Sequence, residues 1–542
     1  MITRNYTRWV KALAAGCLAG TLLLAGCSTN EPNNTGNGET TGEGAATEVE
    51  FPLAEPVTLK IYTIKNAVQK KEYNDLEYFK ILKEQTNVNI DWTLMTQQNS
   101  AEVVNLAIAS NDLPDAFYGS GALKDVVKNA ADGVIIPLDE LIEKYAPNVK
   151  AAFEKNPELK KSVTASDGQI YTLPNAVFNH NNNMIPSAMY INKKWLDDLG
   201  LSMPTTTDEF FEVLKAFRDG DPNGNGKKDE IPFSFLDLKH HFYSPTPLAG
   251  AFGKTFPSGT NGFWHVENGE VSFAPTLPEN RDFLVYLNKL YQENLIDKEI
   301  FTHNVSVYKS KLTSKTPIVG VWFGWSDYSI LGSTNTEYAL LEPLKGPDGK
   351  AGWQIQDNNM NIDAFSITRA NKHPEITMKW IDAALEPKMS FQANFGMINT
   401  AWKEEGDQLV PIPVPEGMTD MELRVSEAPG PQGVSIVLPD DVKAADPENE
   451  IVKAKINERY KPFTPDEWYP RAVLYSLEDE PAITAWGIDV QGPNGFLDQM
   501  LAKIVLEPNP EATWNEMVKQ LEKMNLQGRT DIAQKYYDAI RK

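Results

Sequence analysis

Cysteine is almost absent from this chain of 542 residues, in which only Cys17 and Cys27 occur. Basic residues are also scarce relative to acidic ones, 51 against 74, and the formal net charge is −23. Because nucleic acids and anionic lipids attract basic proteins, this imbalance argues against both as partners. After Cys27, no uninterrupted apolar run reaches the roughly 18 residues of a membrane-spanning helix. We therefore expect the rest of the chain to fold outside the bilayer.

The first 26 residues have the pattern of a secretion signal. Three cations and no acidic residue accompany an apolar segment that is too short to span a bilayer as a stable helix. The segment ends in Leu23-Leu24-Ala25-Gly26-Cys27, the pattern of a bacterial lipobox. We predict a lipoprotein signal peptide over residues 1–26, after which Cys27 becomes the N-terminus and carries a diacylglyceryl group. An ordinary secreted protein cleaved near Ala25 is the alternative.

Lipidation of Cys27 would determine where the protein works. Each buried CH₂ contributes roughly 0.8 kcal/mol to membrane binding, so two acyl chains hold a protein that a single chain would release. We expect a palmitate-type lipid anchor on the extracellular face of the cell membrane. Cys17 would leave with the signal peptide, so no disulfide is possible. The loss of three cations with that peptide takes the net charge from −23 to −26.

Residues 27–52 are rich in Asn, Thr, Gly, Glu and Ala and have almost nothing to bury. Such a composition predicts a solvated, flexible tether between the lipid and a folded body. The rest of the chain is long enough, and at 41% hydrophobic residues apolar enough, for two domains or more.

The order of the apolar patterns after Pro56 predicts an α/β fold. Residues 57–61 alternate as a strand, residues 76–82 have helical spacing, and residues 88–92 alternate again. A helix over 101–110 then leads to a short buried strand over 115–118. This order predicts a sheet with parallel strands and right-handed crossovers. Further helices are predicted over 139–145, 207–217, 280–294, 374–385 and 513–524.

Together with the lipobox, three stretches of the chain resemble the lipoprotein solute-binding components of ABC sugar importers. They occur in the order typical of that family: Ala109-Ser110-Asn111-Asp112-Leu113-Pro114-Asp115, then Asp167-Gly168-Gln169-Ile170-Tyr171-Thr172-Leu173-Pro174, then Tyr190-Ile191-Asn192-Lys193-Lys194-Trp195-Leu196 with Leu199-Gly200.

The resemblance implies a type II, two-lobed fold like that of periplasmic binding proteins, with a hinge of several crossovers and a ligand held between the lobes. We place the N-terminal lobe over 53–174 plus about 358–415, and the C-terminal lobe over 175–357 plus about 416–542. The implied function is a monomeric receptor that binds an oligosaccharide and delivers it to ABC permease subunits in the membrane. Within the family, the chain is most similar to binders of oligosaccharides, including alginate.

A Gly-rich loop at residues 219–230 has the composition of a calcium site. Calcium binds six to eight oxygens, and alternate side chains of a tight loop converge on one point. A start at Asp219 follows the helix-loop-helix spacing, with ligands from Asp219, Asp221, Asn223, the Asn225 carbonyl and Glu230. A start at Asp221 follows the pattern that the alginate-binding relatives suggest, with ligands from Asp221, Asn223, Asn225, the Lys227 carbonyl, Asp229 and Glu230.

We prefer the start at Asp221 and expect one structural Ca²⁺. Pro222 and two lysines are unusual in a sensor loop, and residues 231–233 indicate a strand where a sensor loop has its second helix. The alternative is an Asn/Gly turn that closes the preceding helix, whose start at Thr206-Thr207-Asp208-Glu209 matches a capping box.

Aromatic side chains are the candidates for sugar contact, because the apolar C–H faces of sugars stack on rings. In residues 319–327 an apolar strand runs into a polar turn, which makes Trp325 and Asp327 the best pair, with Trp322 beside them. The resemblance adds Tyr190, and sequence context adds Trp264, Trp402 and Trp486. For each tryptophan, ordinary packing in the core is the alternative.

Linear catalytic signatures are missing: there is no His-Glu-x-x-His, no Gly-x-Ser-x-Gly and no phosphate loop. A glycosidase or lyase needs only two carboxylates across a sugar and leaves no such signature. An anchored carbohydrate-active enzyme and an envelope assembly or adhesion lipoprotein therefore remain the alternatives to a non-catalytic receptor.

Overall fold

The computed structural model describes residues 49–541 apart from 179–184, 241, 258–261, 333–336, 356–359, 471–472 and 493–494. The predicted signal peptide, Cys27 and nearly all of the predicted tether lie outside the described residues. From Val49 onward the chain forms one compact unit. None of the helices in the described part of the chain is both long and apolar enough to cross a membrane.

The larger of the two main sheets forms the centre of what we call the first lobe. Its strands, in spatial order, are β14 (Ile436–Val437), β4 (Leu173–Val177), β11 (Met360–Ile367), β3 (Ala116–Tyr118), β1 (Val57–Ile64) and β2 (Val88–Met95). β1 is parallel to β2 and β3, as the sequence predicts, whereas β11 is antiparallel to β3 and β4.

The smaller main sheet forms the centre of the second lobe. Its strands, in spatial order, are β10 (Tyr338–Leu341), β5 (Ala188–Asn192), β9 (Val319–Gly324) and β6 (Ile231–Phe233). β6 and β9 are parallel, and β5 is antiparallel to β9. Two hairpins accompany the sheets: β7 (Trp264–Glu267) with β8 (Glu270–Phe273), and β12 (Trp402–Glu405) with β13 (Gln408–Pro411).

Helices surround both sheets, so the fold is the mixed α/β arrangement that the sequence predicts. Those of the first lobe are α1 (Glu77–Thr86), α2 (Ser100–Ser110), α3 (Val126–Ala131), α4 (Asp139–Tyr145), α5 (Pro147–Lys155), α6 (Pro157–Val163), α12 (Pro374–Ala384), α13 (Pro387–Phe395) and α14 (Asp420–Val425). Those of the second lobe are α7 (Lys193–Asp198), α8 (Thr207–Asp219), α9 (Pro278–Gln292), α10 (Val305–Leu312), α11 (Tyr328–Leu331), α15 (Glu448–Tyr460), α16 (Glu480–Trp486), α17 (Phe496–Leu506), α18 (Pro510–Lys523) and α19 (Leu526–Arg541).

Helix α8 illustrates how local sequence sets an element of the fold. The Thr206 hydroxyl accepts the Glu209 backbone N–H at 3.1 Å, and the Glu209 carboxylate accepts the Thr206 backbone N–H at 3.3 Å, which completes the predicted capping box. Such a cap satisfies backbone donors that a helix start otherwise leaves unpaired. The apolar side chains of the helix recur at helical spacing and are buried in the second lobe: Phe210, Val213, Leu214 and Phe217.

The chain passes between the lobes after β4, between β10 and β11, and between β14 and α15. The last of these passages differs from the prediction, which assigns everything after about 415 to the second lobe. β14 pairs in parallel with β4, and the side chains of Val434, Ile436 and Leu438 are buried in the first-lobe core. Burial of these apolar groups, together with the backbone hydrogen bonds of Lys443 and Ala445 with Leu409 of β13, holds residues 416–445 on the first lobe, so the boundary lies just before α15.

Candidate functional site

A cavity of about 330 Å³ lies between the two lobes and is the candidate ligand site. Its first-lobe wall comes from the end of α13, from the β12–β13 hairpin with the residues after it, and from α14. Its second-lobe wall comes from α11 and from the start of α15. The lining residues are Tyr328, Phe395, Ala401, Trp402, Pro411, Ile412, Pro413, Val414, Asp420, Leu423, Arg424, Pro447, Glu448, Asn449 and Glu450.

The predicted turn after β9 lies at the second-lobe wall of this cavity. β9 is buried along its whole length and ends at Gly324, so the chain emerges from the sheet at Trp325, which is half-buried like Asp327. The buried Ser326 hydroxyl donates to Asn449 Oδ1 at 2.8 Å, which attaches the turn to α15. Tyr328 follows at once and lines the cavity. Of the three predicted or neighbouring side chains of this turn, Tyr328 lines the cavity, whereas Trp325 and Asp327 are not among the lining residues.

A buried lysine supports this turn from α15. The Lys453 ammonium, whose side chain has no exposed surface, donates to the Trp325 carbonyl at 2.9 Å and to the Ile185 carbonyl. The same nitrogen lies 5.0 Å from the centroid of the Trp325 ring, within cation–π range. Burial lowers the pKa of Lys453 to about 7, and the nearby Glu450 carboxylate opposes that shift.

The charges around the cavity are mainly acidic. Asp420, Glu448 and Glu450 face it, and Arg424 is the single cation among the residues that line it. Arg424 Nη2 donates to the Asn394 carbonyl at 2.9 Å and to Asn394 Oδ1 at 2.8 Å, and the guanidinium carbon lies 5.0 Å from the Phe395 ring centroid. Burial raises the pKa of Glu450. The cavity thus offers acceptors for hydroxyl groups and an arginine that already has partners.

Trp402 is the one predicted tryptophan that lines the cavity directly. Its indole Nε1 donates to the Phe395 carbonyl at 2.9 Å, and its ring lies edge-on to Phe391 with the centroids 4.9 Å apart. Only 3% of the residue is exposed. Trp402 therefore forms part of the apolar wall and has little surface available for stacking.

The remaining predicted aromatics pack inside the second lobe. Tyr190 and Trp322 lie on neighbouring strands and stack with centroids 4.5 Å apart, and both are fully buried. Trp264 and Trp486 each pack edge-on against Phe273 in the core. The cause is that all four rings lie in the second-lobe core, where they find apolar partners. For these four residues the geometry favours the packing alternative, and we omit them from the proposed site.

Four residues of the site escaped the sequence analysis: Tyr328, Arg424, Asn449 and Lys453. Tyr328 follows the predicted turn by one residue, so it could have been found there. Asn449 and Lys453 stand on one face of α15 but more than 120 residues after the turn they contact. Only the fold brings them together, although two polar groups four residues apart on a helix do share a face.

The predicted calcium loop runs from α8 directly into β6, so no second helix follows it. Asp221 accepts hydrogen bonds from the Asn225 backbone N–H at 3.2 Å and the Gly226 backbone N–H at 3.1 Å. Gly224 and Gly226 adopt positive φ angles of 65° and 71°, which side chains disfavour and which let the loop turn tightly. The side-chain amides of Asn223 and Asn225 donate to Asp229 at 3.0–3.2 Å.

Two observations bear on whether this loop fits a cation. Glu230 Oε1 is buried and has no hydrogen-bond partner among the described residues, and burial beside Asp229 and Asp221 raises its pKa. A cation would relieve that repulsion. The hydrogen bonds from the two asparagines lower the pKa of Asp229 and supply the positive partial charge that a cation would otherwise bring. The donor set therefore fits a cation once the amides turn their oxygens inward.

Asp219 distinguishes between the two possible ligand sets of the loop. Arg218 holds both oxygens of the Asp219 carboxylate, at 2.8 Å from Nε and 2.8 Å from Nη2, and so keeps it away from the loop interior. This geometry favours the set that begins at Asp221. Within the described residues, however, no three Asp, Glu, His or Cys side chains are already grouped as a metal site.

Comparison with known proteins decides the family. The model of the family "Bacterial extracellular solute-binding protein" matches residues 59–390, more than half of the chain. The chain is a bacterial extracellular solute-binding protein. As a member of this family it is a binding protein and not an enzyme, which confirms that part of the sequence analysis.

This solute-binding protein is similar to the fructooligosaccharide ABC transporter substrate-binding protein FusA of Streptococcus pneumoniae serotype 4. The two are 36% identical over 521 residues, which cover 90% of this chain and 92% of the relative. A solved structure of FusA in complex with kestose has a TM-score of 0.81 and 33% identity, and covers 89% of this chain and 99% of the other.

Two further structures are informative about this solute-binding protein. An "EF-hand mutant" of FusA, solved with fructo-nystose, has a TM-score of 0.81 and 32% identity over 89% of this chain and 99% of the other. The alginate-binding protein AlgQ2, solved without calcium ion, has a TM-score of 0.69 and 24% identity over 90% of this chain and 99% of the other. The second likeness establishes the two-lobed fold alone.

Proposed function

We propose that this protein binds a short, neutral oligosaccharide between its lobes and delivers it to the permease of an ABC importer. The observation that carries the proposal is the cavity of about 330 Å³ between the lobes, to which the turn after β9 contributes Tyr328. Its volume lies within the roughly 300–1,000 Å³ usual for small-molecule sites, and it combines aromatic surface with a few polar groups. The fructooligosaccharide specificity of FusA supports the same ligand class.

The charges of the lining residues support a neutral sugar over a uronate. Three carboxylates against one arginine create a potential that repels an anionic ligand, and Arg424 is already engaged by Asn394. A uronate would have to lose hydration without gaining a free cation, which is costly in a partly buried site. Sugar hydroxyls, by contrast, donate readily to Asp420, Glu448 and Asn449.

We further propose that Trp325 and Asp327 contact the sugar, with Tyr328 beside them and Trp402 in the apolar wall behind. Trp325 is half-buried, and the turn that carries it is held by Ser326 and Lys453. The two lobes, joined at the three passages of the chain, would rotate about these passages to enclose the ligand. The first lobe then consists of about 53–177 and 360–445, and the second lobe of about 185–355 and 448–541.

The lipid anchor and the calcium site complete the proposal. The lipobox supports attachment through Cys27 to the outer face of the cell membrane, where the predicted tether gives the receptor reach toward the permease. One Ca²⁺ would be held by Asp221, Asn223, Asn225, the carbonyl of Lys227, Asp229 and Glu230, as the unpartnered Glu230 oxygen and the EF-hand of FusA suggest. The ion would stabilise the loop between α8 and β6.

A saccharide panel tests this function. The mature chain is melted with kestose, with other neutral oligosaccharides and with oligogalacturonates, and the supernatants are then analysed for products. We expect a neutral member to raise the melting temperature and to be recovered intact. New reducing ends or unsaturated products would instead identify a carbohydrate-active enzyme, and the absence of any saccharide response would favour an assembly protein.

A further inference from the structure

A charged side chain with no exposed surface lies directly behind the proposed sugar-binding turn. Lys453 belongs to α15, and its side chain passes through the second-lobe core to reach the main chain at Trp325 and Ile185. Burying an ammonium group is costly unless it is paired and hydrogen-bonded. Two carbonyls and the face of an indole are the partners that the fold provides for it here.

The contacts of Lys453 constrain both the backbone and the ring of Trp325. The hydrogen bond of 2.9 Å fixes the carbonyl, and the ammonium at 5.0 Å from the ring centroid attracts the face of the indole. A tryptophan outside a strand otherwise has freedom about two side-chain torsions. Fixing the ring before the ligand arrives reduces the entropy lost on binding.

We propose that Lys453 is a positioning residue, which holds the Trp325 indole in its sugar-binding orientation and makes saccharide affinity depend on the charge of the lysine. The inference rests on the proposed function, since it concerns the same site. It adds a residue that does not line the cavity and need not touch the ligand.

The charge of Lys453 can change near neutral pH. Burial lowers its pKa to about 7, and Glu450, one turn earlier on the same helix, is the charged group that acts on it directly. Arg424 and Asp420 of α14 and Asp446 before α15 act on Glu450 in turn. The turn itself carries Asp327, while Ile185 presents only a carbonyl. Above pH 7 the amine still donates hydrogen bonds but loses its attraction for the indole face.

The test compares kestose affinity at pH 6.0 and pH 8.5, by calorimetry, for the wild type, Lys453→Met and Lys455→Met. Lys455 lies two residues away on the exposed face of α15 and is the matched control. We expect the wild type and Lys455→Met to bind about three- to tenfold more weakly at pH 8.5, the size of a cation–π contribution. We expect Lys453→Met to bind weakly at both values and to lose the dependence.

Two results would overturn the proposal: wild-type affinity that is equal at both pH values, or Lys453→Met that binds like the wild type. If Lys453→Met does not fold, the proposal is judged from the pH dependence of kestose affinity in the wild type and in Lys455→Met. A ligand-free measurement separates this proposal from the proposed function. The difference in emission between the wild type and Trp325→Phe should shift between pH 6.0 and 8.5, whether or not kestose binds. A difference spectrum that does not change between the two pH values would contradict the coupling between the charge of Lys453 and the Trp325 ring.

Discussion

The Ser326 hydroxyl donates a hydrogen bond of 2.8 Å to Oδ1 of Asn449, and both residues are buried. This bond connects the turn after β9 to α15, the helix that begins the second lobe after the last passage from the first. Because Asn449 also lines the cavity, a movement of α15 moves both the wall and the turn. The proposed binding surface is therefore attached to the helix that directly follows the last passage between the lobes.

Replacement of Trp325 by alanine should weaken saccharide binding by about 1 to 3 kcal/mol, the range for truncating an aromatic anchor. The fold should change little, because the ring is half-buried at the end of a strand. Calorimetry measures the affinity, and thermal unfolding measures the fold. Trp468→Ala, a half-buried tryptophan that does not line the cavity, is the control. Retained affinity with a lowered melting temperature would make Trp325 a packing residue.

The loop over 221–230 should bind one Ca²⁺ that stabilises the fold, because an ion that binds the native state alone raises stability by mass action. A chelator should lower the melting temperature and added Ca²⁺ should restore it. Asp229→Ala should abolish this response, whereas Asp219→Ala should keep it, since Asp219 pairs with Arg218 outside the loop. A chelated sample with an unchanged melting temperature and no calcium by elemental analysis would reduce the loop to a turn.

His265 should make the protein less stable in mild acid. Its ring lies buried in β7, with Nδ1 at 2.7 Å from the Thr255 hydroxyl, and burial, assisted by Lys254, lowers its pKa from 6.5 to about 4. As the pH falls from 6.5 to 4, the unfolded chain binds a proton at this histidine, whereas the folded chain does not. The free energy of unfolding therefore decreases over this range, by about 3 kcal/mol in total.

Urea unfolding at several pH values measures this loss. His265→Gln should flatten the decline between pH 6.5 and 4, and His373→Gln, at an exposed position, should leave it as in the wild type. Parallel declines for all three proteins would show that other groups cause the acid sensitivity.

Saccharide binding should close the lobes, because a ligand that contacts both walls stabilises the conformation in which they are near each other. Small-angle scattering of the mature chain at saturating kestose should give a smaller radius of gyration than without the sugar. An equal radius at saturation, verified by calorimetry on the same sample, would contradict hinge closure.

Local patterns predicted much of the fold. The alternation around 57–61 and 88–92 gave the parallel pair β1 and β2, and the helix predicted over 139–145 has those bounds in the structure. The capping box at Thr206 and the strand at 231–233 were also correct. In each case the determining interactions lie within a few residues of one another, so they are visible in sequence.

The candidate site was less predictable, because its contacts join residues that are distant in sequence. Trp325 stood out since a buried strand ends just before it. Trp322 and Tyr190 share the same aromatic character, yet they stack in the interior, and no local pattern separates a ring that leaves the sheet from one that stays. The predicted assignment of β14 to the second lobe was wrong for the same reason, since its two residues pair with β4, 260 positions earlier in the chain.

Calorimetric titration of the mature chain with kestose, compared with the same titration with trigalacturonate, tests the central claim most directly. The sugar is recovered afterwards. The account predicts saturable binding of one kestose per protein, recovery of the intact trisaccharide, and weaker or absent binding of the anionic sugar. Tighter binding of trigalacturonate, or no binding of any neutral oligosaccharide, would contradict it.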